Sequence, residues 1–115
     1  MISESEMLEG LDNWKKFVPR FIRLMENVLE RNSFSSNDSR RLREIFTDIT
    51  MTKIFLTAYN SPNKKKVLEQ YYFISKTNNL LKDYTFGNNA LFGNGSDHRI
   101  LILLLNKLES SFYGD

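Results

Sequence analysis

Leu11, Trp14, Val18, Phe21, Met25 and Val28 recur at alternating spacings of three and four residues. Side chains spaced in this way share one face of an α-helix and cannot share one face of a strand, whose period is two. The segment is therefore expected to form a long helix over residues 5–31. Its early acids, Glu6 and Glu9, suit the positive end of the helix dipole. Pro19 lies inside the seam and removes one backbone hydrogen bond. Because the seam keeps its phase on both sides, the expectation is one helix kinked at Pro19, not two helices.

Three more helical segments follow. The polar linker Asn32–Ser39 supplies Asn and Asp as caps for a second helix over residues 38–59, with Leu42, Ile45, Ile49 and Leu56 on one face. Asn60-Ser61-Pro62 ends it, and Pro62 opens a third helix over residues 62–85 with Ser61 as its cap. Val67, Tyr71, Ile74 and Leu81 point inward there. Residues 86–96 are rich in Gly and Asn and read as a loop, which has the option of folding Phe86, Leu91 and Phe92 over a bare face. Ser96 or Asp97 caps a last helix over residues 97–112. The apolar run Ile100–Leu105 is ambiguous by period alone, but its leucine content, its cap and the lack of a partner strand favour helix. Residues 1–4 are expected to be flexible.

The fold class is thus all-α, in a single domain over residues 1–115. Short connections favour an up-down-up-down antiparallel four-helix bundle, with an open helical arrangement completed by a partner as the alternative. Nine Phe, five Tyr and one Trp give ample core material. The net charge of +2 does not by itself imply a nucleic acid or a membrane surface. Absence of cysteine excludes disulfides and thiolate metal sites and suits a reducing compartment. The acidic N-terminus lacks the layout of a signal peptide, and the longest apolar run falls far short of the roughly 20 residues that span a bilayer. The expected location is intracellular, cytoplasmic or nuclear. On that expectation Asn37-Asp38-Ser39 and Asn94-Gly95-Ser96 match the glycosylation pattern by chance.

Nothing in the chain specifies a reaction. His98 is the sole histidine, and Ser96-Asp97-His98 in succession reads as a helix cap, since adjacent helical positions do not face each other. Glu26 and Glu30 are four apart, but a di-metal bundle needs Glu-x-x-His from two helices. Gly87, Gly93 and Gly95 lack the strand-before-helix setting of a phosphate cradle. No metal or organic cofactor is expected, and the chain is not expected to be an enzyme.

The apolar residues say more. Each helix of a small bundle buries one stripe and leaves a polar remainder. Here Met51, Ile54 and Phe55 lie off the seam of the second helix, and Phe73, Leu80 and Tyr84 form a second line on the third. The last helix has no polar face in its first two turns. These six residues are the expected contacts to another protein, or to a second copy of the chain, in a non-catalytic adaptor or structural subunit. A cluster of Arg40, Arg41 and Arg43, joined by Arg31 and Arg99 at the same end of a bundle, offers a further contact for an anionic partner. That cluster carries one alternative, a nucleic-acid-associated accessory protein. A small inhibitor or immunity-type protein is the second.

Overall fold

Pro19 does not end the first helix. In a computed structural model describing residues 2–58, 61–84, 90–91 and 95–114, α1 runs unbroken over Glu4–Arg31 with Pro19 inside it. At about 1.5 Å per residue such a helix spans roughly 40 Å, and it sets the 47 Å long axis of the molecule. The sequence marks its start with Ser3-x-x-Glu6. The Ser3 hydroxyl accepts from the Glu6 N–H, and the Glu6 carboxylate accepts from the Ser3 N–H. Asn32 closes the helix in the left-handed region at φ 56°, where its backbone N–H donates to the Leu29 carbonyl.

α2 (Ser36–Thr57) opens on the same device, Ser35-x-x-Asp38. The Asp38 carboxylate is buried and takes up two further bonds from the Arg31 guanidinium, at 3.0 and 2.9 Å, so one acid caps α2 and fastens it to the end of α1. Burial alone would raise its pKa. The hydrogen bonds from the Ser35 N–H and hydroxyl and from Arg31 outweigh that and hold it below the ordinary carboxylate value.

α3 (Lys64–Leu81) ends in a short 3-10 turn, Lys82–Tyr84, and α4 covers Ser96–Tyr113. The Asn or Asp cap expected for α2 gives way to Ser35, and neither expected cap forms at α3 or α4. Asn63 and Gly95 occupy the cap positions, with no side-chain cap bond at either. Ser61 instead accepts the Lys64 N–H on its carbonyl in a turn, which delays the start of α3 past Pro62. Asp97 is drawn away by the Tyr84 hydroxyl, which donates to its carboxylate.

Among the described residues the chain is all-α apart from one two-residue ladder. Ser33–Phe34 pairs antiparallel with Ala90–Leu91, which ties the long connection before α4 to the turn after α1. Phe34 is fully buried, although it sits in what reads as a polar linker. Phe86 and Phe92 lie outside the described residues.

α1 packs on α2, α2 on α3, α3 on α4, and α4 back on α1, around a core that includes Val18, Phe21, Met25, Ile49, Ile74, Leu101 and Leu108. At the α1/α2 crossing Gly10 lets the Phe55 ring lie directly on the helix. A Cβ there would stand 2.9 Å from Phe55 Cδ1 and Cε1. One buried polar chain crosses three helices. Trp14 Nε1 donates to Gln70 Oε1 at 2.7 Å, and Gln70 Nε2 donates to the Ser111 carbonyl at 3.1 Å. Both ends of the Gln70 amide are therefore satisfied, which removes the penalty for burying it.

Candidate functional site: the apolar outer faces

α3 packs mainly against α2 and α4, and its side chains divide accordingly. Val67, Gln70, Ile74, Thr77 and Leu81 form the buried stripe. Tyr71 lies on the α2 side, stacked on Phe46 at 5.9 Å, with its hydroxyl 2.9 Å from the Thr50 hydroxyl and the Lys53 ammonium over its ring. Phe73 lies on the other side. It lines a cavity between α3 and α4 together with Leu103, Asn106 and Lys107. Leu80, seven residues on, shares that flank by helical phase.

The six residues expected to face a partner therefore differ in place. Met51 and Ile54 point outward from α2, 65% and 55% exposed. Phe55, Phe73, Leu80 and Tyr84 are partly buried and packed against the chain's own core. Tyr84 also serves inside the chain. Its hydrogen bond to Asp97, with burial and the Asp97 and Asp83 charges adding, raises the phenol pKa to about 12.

α4 exposes apolar residues that the list of six omits. Ile100, Ile102 and Leu103 are 43%, 39% and 53% exposed, while Leu101, Leu105 and Leu108 of the same helix are buried. Three large aliphatic side chains thus stand in water over one turn. Leu103 borders the cavity that holds Phe73, so the α3/α4 face combines residues from both helices. The sequence signal for them was present in the missing polar face of α4. Leu68 and Tyr72 add apolar surface on the outer side of α3.

The arginines also regroup. Arg31 is engaged by Asp38. Arg40 donates to the Asn37 side chain at 2.6 Å and faces Glu44 at 3.7 Å. Arg41 instead lines a groove between α1 and α2 with Arg20, Arg23 and Asn27, a cavity of about 340 Å³. Among the described residues none of Arg20, Arg23 and Arg41 forms an ion pair, and Arg20 lies over the Phe17 ring. Arg43 and Arg99 are exposed.

Among the described residues no three His, Asp or Glu side chains converge as for a metal ion. Glu109 of α4 has its carboxyl pKa raised, first by burial and then by the charge and hydrogen bond of Glu26 on α1. His98 is partly buried, and its neighbour Asp97 is engaged by Tyr84. Among the described residues no helix is long and apolar enough to cross a membrane.

Comparison with known protein families, with curated proteins and with solved structures finds no match.

Proposed function

We propose that the chain is a non-catalytic helical subunit or adaptor that binds another protein, or a second copy of itself, through its apolar outer faces. The exposure of Ile100, Ile102 and Leu103 within one turn of α4 carries this reading. An exposed apolar surface rimmed by polar residues is the usual mark of a protein contact. Here Lys107, Asn106 and Ser110 supply the rim. Met51 and Ile54 add outward apolar surface on α2, with Met51 beside the acids Glu6 and Glu9.

The architecture that fits this role is an up-down-up-down antiparallel bundle with α1 bent at Pro19. Supporting the antiparallel order, Gly10 lies against Phe55 while Arg31 meets Asp38, and Gln70 meets Ser111 while Tyr84 meets Asp97. A bundle of this kind presents α4 as a continuous ridge that a partner helix can lie beside.

Affinity purification of the full chain from extracts of its source cells tests the reading. A stoichiometric partner, or a second copy, should be retained by the native sequence and lost on Leu103→Lys with helicity unchanged. Retention of the same partner by the Leu103→Lys and Ile100→Lys variants would refute the α4 face as the contact.

A second reading rests on the groove that Arg20, Arg23 and Arg41 line from two helices beside Glu44, with no ion pair to these three arginines among the described residues. It makes the chain a nucleic-acid-associated protein. Binding to DNA or RNA that falls steeply with salt, and is lost when these arginines become alanine, would favour it.

A further inference from the structure

We propose that the cleft between the N-terminal half of α1, the start of α3 and the end of α4 is a binding site for a small amphipathic carboxylate, with an apolar body and one acid group. The cleft has a volume of about 470 Å³, inside the range of roughly 300–1,000 Å³ common for small-ligand sites. Its walls are Leu11, Trp14, Pro19, Val67, Phe112 and Tyr113.

The polar groups at the cleft decide the ligand chemistry. Trp14 is fixed by its bond to Gln70, and the Gln70 amide is held in turn by the Ser111 carbonyl. Asn63 and the exposed Tyr113 also line the cleft, and the rest of the wall is rings and aliphatic side chains, which favours an apolar body. Among the described residues the charged groups lining the cleft are the ammonium groups of Lys15 and Lys66, with no carboxylate beside them. Lys15 is exposed and makes no ion pair among the described residues. Lys66 has only a long contact to Glu69, at 3.8 Å, with both side chains about half exposed. Two cations at the rim of an apolar slot complement a carboxylate whose body enters the slot. Pro19 contributes an apolar ring and no N–H at the wall, so a polar body gains nothing from it.

This site includes neither Leu103 nor Met51, although it shares Lys66 with the cavity that Leu103 borders, and a partner on the α3/α4 face is not required for it. Trp14 is the chain's sole tryptophan and lines the cleft, so its fluorescence reports occupancy directly. The probe is decanoate, kept below its micelle concentration, with decanol as the uncharged control, titrated into the full-length chain. The expected result is a saturable change in Trp14 emission, with decanoate bound about tenfold or more tightly than decanol, a preference equal to about 1.4 kcal/mol. The Lys15→Glu, Lys66→Glu double variant should lose this preference by weakening decanoate alone. The Lys15→Arg, Lys66→Arg variant should keep it. A melting curve checks that each variant is folded. No saturable change, equal affinity for acid and alcohol, or decanoate binding unaffected by the charge reversal would each overturn the proposal.

Discussion

Replacing Gly10 by alanine should destabilise the native chain yet be neutral or stabilising in a chain in which Phe55 is also truncated. Alanine in a helix interior is favoured over glycine by about 1 kcal/mol, because glycine loses more backbone freedom on folding. Against this gain, the new methyl group would stand 2.9 Å from two ring carbons of Phe55 and 3.0 Å from Leu56 Cδ2. Carbon pairs sit comfortably at about 3.5–4.0 Å. Leu56 is fully buried and cannot retreat, so the helices must separate or the ring must turn into water. Overpacking of this kind costs roughly 1–3 kcal/mol, which leaves Gly10→Ala destabilising by about 1 kcal/mol. Phe55→Ala alone should cost about 2 kcal/mol, below the 3–5 kcal/mol of a fully buried ring, since Phe55 is only partly covered. In that background the chief clash is gone and Gly10→Ala should be neutral or stabilising. Urea unfolding of the four chains, followed by far-UV circular dichroism, gives the coupling between the two positions. An equal effect of Gly10→Ala in both backgrounds, to within about 0.5 kcal/mol, would mean that Phe55 does not rest on α1. It would then be free to contact a partner.

Two further predictions concern the ends of the helices. Asp38→Asn should cost about 1–2 kcal/mol at neutral pH, through the lost cap and the unpaired Arg31. Because the folded carboxyl sits below its ordinary value of 3.8, its contribution is present above that pH and is lost as pH falls through the depressed value. The native and variant stabilities should therefore converge in acid. Tyr84→Phe should cost about 1–2 kcal/mol by releasing the Asp97 carboxylate. The folded phenol is raised from 10.0 to about 12. Its contribution is complete below pH 10.0 and fades as pH rises towards about 12, which pH-dependent melting of the two chains would record.

Much of this fold is legible in the sequence, and its gaps have physical causes. The α1 seam carries through Pro19 because one missing N–H does not outweigh the burial of Val18, Phe21, Met25 and Val28 around it. The two capping boxes, Ser3 with Glu6 and Ser35 with Asp38, stand in the sequence at the spacing their geometry requires. Phe34 could not be read as core, since one apolar residue in a polar run has no period, yet it is fully buried and its backbone pairs with residue 90. The off-seam residues of α3 mark a different limit. A helix with neighbours on two sides carries a wide apolar arc, so Phe73 and Leu80 lie on the flank towards α4, and Tyr71 on the flank towards α2. Off-seam position alone does not separate a second intrachain contact from a partner's. On α4 the ambiguity is absent, because residues apolar all round leave some in water whichever face is buried.

The most direct test of that exposed surface is sedimentation velocity of the lone chain beside an Ile100→Lys, Leu103→Lys double variant, over a range of concentrations and with a hydrophobic dye as second readout. The native chain should self-associate or bind the dye. The double variant should be monomeric and dye-silent, with its melting temperature within a few degrees of native, as expected for exposed positions where substitutions usually shift stability by about 0.5 kcal/mol or less. A native chain that is itself monomeric and dye-silent at all concentrations, or a double variant that loses several kcal/mol of stability, would contradict the assignment of α4 as a binding face.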